Sequence, residues 1–220
     1  MVVLLLAAGL YLRTLDNGLR LEELKGGDLI THHYAQLEGR LGNAPGYPLY
    51  TIGGWLWFRL GRPLLSWAFS PIEILSLYST LWSLASLLVL YVLVLTVTRK
   101  SWPLAAAATA FYAVTYFFWY YSVSSEQYSA AVFQTLLLLL LALRWQVNRQ
   151  DRELGLMALV TGTCLANLVT TLLIVPPLAW FVLAQEPSIL QRRRLMTRLV
   201  AWARRPGLSS GFGDVWGAEH

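Results

Sequence analysis

Residues 72–97, IEILSLYSTLWSLASLLVLYVLVLTV, decide the fold class. This run of 26 residues carries a single acid, Glu73, at its edge. At about 1.5 Å per residue it reaches roughly 39 Å as a helix, enough to cross a bilayer with some tilt. Residues 102–122 and 128–145 are two further apolar runs of crossing length. The next run, 154–183, has 30 residues, about 45 Å as one helix and too long for the hydrocarbon core. Asn167 lies near its middle, so the run predicts two short helices meeting there, the second kinked by Pro176-Pro177. Toward the amino terminus, residues 1–12 are apolar and read as a first span, because they lack the basic leader and small-residue cleavage site of a secretory signal. The expected fold is all-α: a polytopic integral membrane protein with about six transmembrane helices.

Composition agrees. Of 220 residues, 56% are hydrophobic and 13% charged. Globular domains lie near half and about a quarter. A disordered or fibrous chain is excluded, and an ordinary water-soluble domain nearly so. Cys164 is the one cysteine, so no intrachain disulfide is available. The net charge of +5 comes from basic residues lying between apolar runs rather than on one polar face, which disfavours nucleic acid as a partner and names the lipid bilayer instead.

Residues 47–69 are aromatic-rich but carry Arg59 and Arg62. Two arginines make a crossing costly, so 51–67 reads as a helix lying in the membrane interface, with Trp55, Trp57, Phe58 and Trp67 suited to the headgroup layer. With the amino terminus cytoplasmic, Arg99, Lys100, Arg144, Arg149, Arg152 and the arginines of 192–205 fall inside, close to span ends. Arg13, Arg20, Lys25, Arg40, Arg59 and Arg62 fall outside, spread along one long segment. This is the positive-inside pattern. It divides the chain into a transmembrane domain, 1–184, with a long extracytoplasmic loop at 16–71, and a basic, poorly ordered cytoplasmic tail, 185–220, held to anionic lipid. It also puts the long loop, the 122–127 turn and the Asn167 break on the outer side, where Asp28, Glu126 and Asn167 can gather.

Asp28 follows Gly26-Gly27. A carboxylate beside two glycines has an adaptable backbone and can act as a general base toward a hydroxyl; it also fits the N-cap of a helix starting at Leu29. Asp28 and His32 stand four apart on that helix and could hold a divalent metal ion with donor phosphates completing the shell, whereas the plainer reading leaves His32 and His33 as solvated interfacial histidines. Glu126 sits between two apolar spans, either as a functional carboxylate or as the cap of the helix beginning near Tyr128. Asn167 reads equally as an interhelical hydrogen-bonding residue. No P-loop, GxGxxG, CxxC or Ser-His-Asp arrangement is present.

Together, Lys25-Gly26-Gly27-Asp28-Leu29, Asn43-Ala44-Pro45-Gly46-Tyr47-Pro48-Leu49-Tyr50, Glu126-Gln127-Tyr128 and Ala166-Asn167-Leu168-Val169-Thr170 occur in an order that resembles the GT-C superfamily of polytopic membrane glycosyltransferases, and within it the membrane family of domain of unknown function 2723, related to protein O-mannosyltransferases. Lys25, Asn43, Ala44 and Leu168 depart from that family's pattern, and the chain reads as stopping early relative to it. The resemblance implies transfer of a sugar from a polyprenyl-phosphate donor to a protein or lipid hydroxyl at the extracytoplasmic face of, by expectation, a prokaryotic plasma membrane. Asp28 would be the catalytic base. Tyr47, Tyr50 and Trp55 would line the sugar or prenyl site, Glu126 and Tyr128 would orient the first loop or the donor, Asn167 belongs to the same outer set, and Arg40, Arg59 or Arg62 would meet the leaving phosphate. The alternative is a non-catalytic membrane protein, such as a transporter or flippase fragment or an assembly partner, that keeps the fold alone.

Overall fold

The computed structural model describes residues 2–18, 28–40 and 47–208, and every regular element among them is a helix. The chain divides into two compact units, Met1–Leu136 and Leu137–His220. The expected Gly26-Gly27 pair, the Ala44-Pro45-Gly46 turn, and Arg20, Lys25 and Asn43 lie outside the described residues, as does the side chain of Asp28.

The first unit contains α1 (Val2–Arg13), α2 (Asp28–Glu38), α3 (Pro48–Leu65), α4 (Pro71–Val97), α5 (Trp102–Ala113), α6 (Tyr116–Val123) and the start of α7 (Tyr128–Asn148). Helix α4 is begun by a reciprocal cap. Ser70 Oγ accepts from the Glu73 amide at 3.3 Å, and Glu73 Oε2 accepts from the Ser70 amide at 2.7 Å, with Pro71 pre-set for the first turn. The acid at the edge of the long apolar run is thus its starting signal. Among the described residues two helices, Pro71–Val97 and Tyr128–Asn148, are long and apolar enough to cross a membrane; Val2–Arg13 and Val175–Gln185 are apolar but shorter.

Three expectations need correcting. Residues 102–122 form two helices, not one. The chain is extended at Thr115 (φ −63°, ψ 139°), whose hydroxyl donates to the Tyr112 carbonyl at 2.8 Å. That side-chain bond occupies an acceptor at the end of α5 and lets the backbone leave the helix. Helices α5 and α6 have 12 and 8 residues, about 18 and 12 Å, and neither reaches across hydrocarbon alone. Next, the run at 154–183 does break at Asn167, but Pro176 and Pro177 do not kink a helix. They occupy the first turn of one, where a missing amide hydrogen costs nothing. Lastly, the tail is not structureless throughout, because residues 193–208 are helical.

The second unit holds the remainder of α7, then α8 (Asp151–Leu165), a 3₁₀ turn (Val169–Ile174), α9 (Val175–Gln185), a second 3₁₀ turn (Pro187–Gln191) and α10 (Arg193–Leu208). Its core is Leu138, Leu141, Trp145, Leu154, Met157 and Cys164, with Leu178, Val182 and Leu199 packed on it. Arg192 bonds Asp151 at the start of α8, and a Cβ on Gly162 would run into the Ala203 carbonyl. The second contact lies eleven residues beyond the first on both segments, so α10 lies along α8 in the same direction and at backbone distance. Arg149 donates to the Gln185 side chain at 2.7 Å. The ends of α7 and α9 and the beginnings of α8 and α10 therefore share one end of this unit, with Arg149, Arg152 and Arg192 there.

Candidate functional site

The polar heart of the first unit is the corner 122–127 between α6 and α7. Ser122, Ser124, Ser125, Glu126 and Gln127 are all buried. A buried non-helical corner must find partners for its backbone. Helix α4 supplies them from Ser79 and Thr80, which lie on a stripe of small polar residues with Ser76, Ser83 and Ser86, each no more than 2% exposed. Thr80 Oγ1 donates to the Ser122 carbonyl at 2.8 Å, and Ser86 Oγ, which donates to the Trp82 carbonyl of its own helix at 2.8 Å, lies 3.3 Å from the Ser129 carbonyl. Ser79 Oγ donates to the Glu126 carbonyl at 3.3 Å and accepts from the Glu126 amide at 3.2 Å. The Tyr50 hydroxyl, 2.5 Å from Ser79 Oγ, donates the remaining bond, so that the serine uses one donor and two acceptor positions.

Helix α2 closes over this corner. Its inward residues are Leu29, His32, His33, Ala35 and Gln36, the spacing of one helical face. Ser125 Oγ donates to Gln36 Oε1 at 3.1 Å. His32 Nε2 stands 3.7 Å from Glu126 Oε2, an ion-pair distance for a protonated imidazole and longer than a hydrogen bond. The expectation of two solvated histidines is wrong: His32 and His33 are 2% and 7% exposed. Burial lowers the pKa of His33 from its ordinary value, and the nearby charge of Asp16 opposes that shift.

Asp16 is a site residue that sequence reasoning overlooked. It is buried, its Oδ1 accepts from the Gly18 amide at 3.0 Å, and its own amide donates to the Val123 carbonyl at 2.9 Å. The Asp16-Asn17-Gly18 triplet is the available signal, since Asp closes such turns onto the backbone two residues on. Gln36, Ser79 and Ser125 carried no motif at all.

The remaining site residues are placed as follows. Tyr47, half-buried, is left-handed at φ 41° immediately before Pro48, where a non-glycine residue is strained, and its ring lies 5.5 Å from that of His32. Tyr50 is packed inside rather than lining a space, and burial holds its phenol well above the ordinary range. Trp55 packs against Gly39 and carries the Arg59 guanidinium over its ring at 5.3 Å. Arg62 lies over Phe58 at 5.7 Å, and exposed Arg40 pairs with Glu38 at 2.8 Å. Tyr128 stands 4.4 Å from the Tyr121 ring. The structure therefore brings Tyr47, His32 and Glu126 together, and leaves Arg40, Arg59 and Arg62 on exposed positions. Asn167 is buried in the second unit, in the turn ending α8. Among the described residues no group of three His, Cys, Asp or Glu side chains could hold a metal ion. The Asp28 carboxylate, half of the expected metal pair, is not among them.

The family model described as the protein O-mannosyl-transferase TMEM260 N-terminal domain matches residues 32–190, from His32 through the Glu126 corner and the Asn167 turn. No curated protein and no solved structure matches the chain.

Proposed function

From the premise that this chain belongs to the protein O-mannosyl-transferase TMEM260 N-terminal domain family, we propose that it is a GT-C-type glycosyltransferase using a polyprenyl-phosphate sugar donor at the extracytoplasmic membrane face. Of the six expected crossings, α4 and α7 are long enough to span as single helices, and α1, α5 with α6, α8 and α9 would supply the shorter membrane segments, with α3 lying in the interface and the amino terminus cytoplasmic.

In this reading the Asp28 carboxylate takes the proton of the acceptor hydroxyl. The hydroxyl oxygen attacks the anomeric carbon as the bond to the lipid phosphate breaks, and the phosphate departs with the electron pair. Configuration inverts. Helix α2, which begins at Asp28, is fixed four residues later by His32 against Glu126 and eight residues later by Gln36 against Ser125. Both partners lie on one corner almost a hundred residues away in sequence. The contact between the acid-bearing helix and the Glu126 corner is the single observation that carries the proposal. A general base must be held within hydrogen-bond reach of its proton, and two anchors on one helix face restrict both its translation and its rotation.

Membranes containing the chain, supplied with polyprenyl-phosphate mannose and a hydroxyl acceptor, test it. Asp28→Asn should lower transfer by about 10²–10⁴-fold, the ordinary contribution of a general base. Glu126→Gln, which keeps the shape of the corner, should lower transfer less than Asp28→Asn does. Unchanged transfer by Asp28→Asn refutes the assignment.

A further inference from the structure

The second unit contains a cavity of about 470 Å³ between the beginnings of α8 and α10. That is within the size range of small-molecule sites. Three arginines, Arg152, Arg192 and Arg198, face it together with one acid, Asp151. Arg192 is already engaged, by Asp151 at 3.2 Å and Glu186 at 2.6 Å. Arg152 and Arg198 make no ion pair among the described residues, although both border the same space. Two guanidinium groups on one cavity repel each other unless an anion lies between them, and a phosphate offers the oxygen geometry that guanidinium forks match.

The rest of the wall is not what a free anion needs. Leu195, Leu199 and Trp202 line it on the α10 side. Leu195 and Leu199 also pack on the unit's apolar core, so the cavity is cationic on one side and continuous with hydrocarbon-like surface on the other. Tryptophan beside arginine is the pairing that suits a headgroup layer. Close packing of Gly162 on the Ala203 carbonyl holds α10 along α8, so the cavity is built by the fold rather than opened by a loose tail.

We propose that this cavity binds the phosphate headgroup of an anionic lipid, with the phosphate between Arg152 and Arg198 and the acyl chains along Leu195, Leu199 and Trp202. The site is separate from the Glu126 corner and does not depend on sugar transfer.

The test uses the full chain in a neutral detergent, titrated with short-chain phosphatidylglycerol, short-chain phosphatidylcholine or inorganic phosphate, with affinity read by thermophoresis. Phosphatidylglycerol should bind at least about tenfold more tightly than phosphatidylcholine. The double variant Arg152→Gln/Arg198→Gln should lose about tenfold or more of that affinity, as expected for two removed basic contacts. Its melting temperature should stay close to the parent's, because both side chains are exposed. Arg204→Gln, on the same helix but outside the cavity lining, should bind as the parent does. If the double variant unfolds, Arg198→Gln alone must show a severalfold loss. The proposal is overturned if the arginine variants bind phosphatidylglycerol like the parent, if Arg204→Gln weakens binding equally, or if phosphatidylcholine binds as tightly. Inorganic phosphate matching the lipid's affinity would also overturn it, since the site would then hold a free anion.

Discussion

Two glycines on the buried face of α3 should respond in opposite directions to the same substitution. A Cβ on Gly54 would stand 2.5 Å from Gln36 Cδ and 2.7 Å from its Oε1. Gln36 is fully buried and its Oε1 accepts the Ser125 hydroxyl, so the amide cannot swing away without losing that bond. Overpacking a core costs about 1–3 kcal/mol, and a broken bond that leaves a buried polar group unsatisfied costs about the same. The gain in helix propensity from Gly to Ala returns only about 1 kcal/mol. Gly54→Ala should therefore destabilise by about 3 kcal/mol net, lowering the melting temperature by roughly 6–12 °C for a chain of this size. Gly61 lies two turns on. A Cβ there would meet Leu65 Cδ1 at 3.5 Å, Ile74 Cγ2 at 3.9 Å and Trp57 Cε2 at 3.9 Å, all ordinary contacts. Gly61→Ala should keep the propensity gain and raise the melting temperature by up to about 4 °C. Thermal unfolding of both variants in one detergent reads the contrast directly. A Gly54→Ala protein as stable as the parent would mean that Gln36 is not wedged between α3 and the 122–127 corner, and the anchoring of α2 would fail with it.

Removing the Tyr50 hydroxyl (Tyr50→Phe) and truncating Ser79 (Ser79→Ala) should each cost about 1 kcal/mol, and the double variant should cost clearly less than their sum; additive losses in thermal melts would show that the two do not share a bond. His33 titrates below its ordinary value when folded, so the unfolded chain binds the proton more readily: its stabilising contribution is complete above about pH 6.5 and is lost as the pH falls through the lower folded value. Melting temperatures measured between pH 7.5 and 5 should fall on acidification, and His33→Gln should flatten that slope; an unaltered slope in the variant refutes the assignment to His33. Gly162→Ala should detach α10 from α8, since its Cβ would meet backbone rather than a movable side chain, and faster proteolysis after Arg192 to Arg194 is the readout. Proteolysis unchanged from the parent would show that the two helices are not in backbone contact.

Much of the architecture was legible because apolar length and proline position are local signals. The run 72–97 became one helix, and a helix expected at 51–67 is present as Pro48–Leu65. The break at Asn167 was visible because 30 apolar residues exceed what hydrocarbon needs. What the sequence did not disclose was the bend at Thr115, where one threonine hydroxyl bonds a carbonyl three residues back in a run whose hydropathy is unbroken. The site was legible only at its charged residues. Glu126 stood out as an acid between two apolar spans, whereas Gln36, Ser79 and Ser125 are common surface residue types, and only their long-range pairing makes them part of the site. His32 and His33 looked interfacial because the helix bearing them mixes polar and apolar residues without a clear apolar stripe. Its inward face carries both histidines and Gln36 because it meets the polar 122–127 corner there, while Leu37 packs on the apolar cluster of Phe58, Ile74 and Leu75.

That last point explains why α4 is built as it is. A helix meant only to cross a bilayer would gain nothing from five buried hydroxyls on one stripe. Each costs desolvation unless bonded, and in a low-dielectric setting an unbonded one is expensive. Two of the five, Ser79 and Thr80, bond the 122–127 corner, where an extended backbone would otherwise leave carbonyls and an amide orphaned away from water, whereas the Ser76 and Ser83 hydroxyls are buried without a hydrogen-bond partner among the described residues. Serine and threonine are small enough to let the corner approach the helix closely and polar enough to receive it, a combination that leucine or glutamine cannot supply. The corner in turn presents Glu126 and Ser125 to α2. The order of dependence therefore runs from the stripe on α4 to the corner, and from the corner to the helix that begins with Asp28. Substitutions in the stripe should disturb the position of α2 without touching it, and a Ser79→Leu protein that kept Gln36 protected from solvent and His32 beside Glu126 would break that chain at its first link.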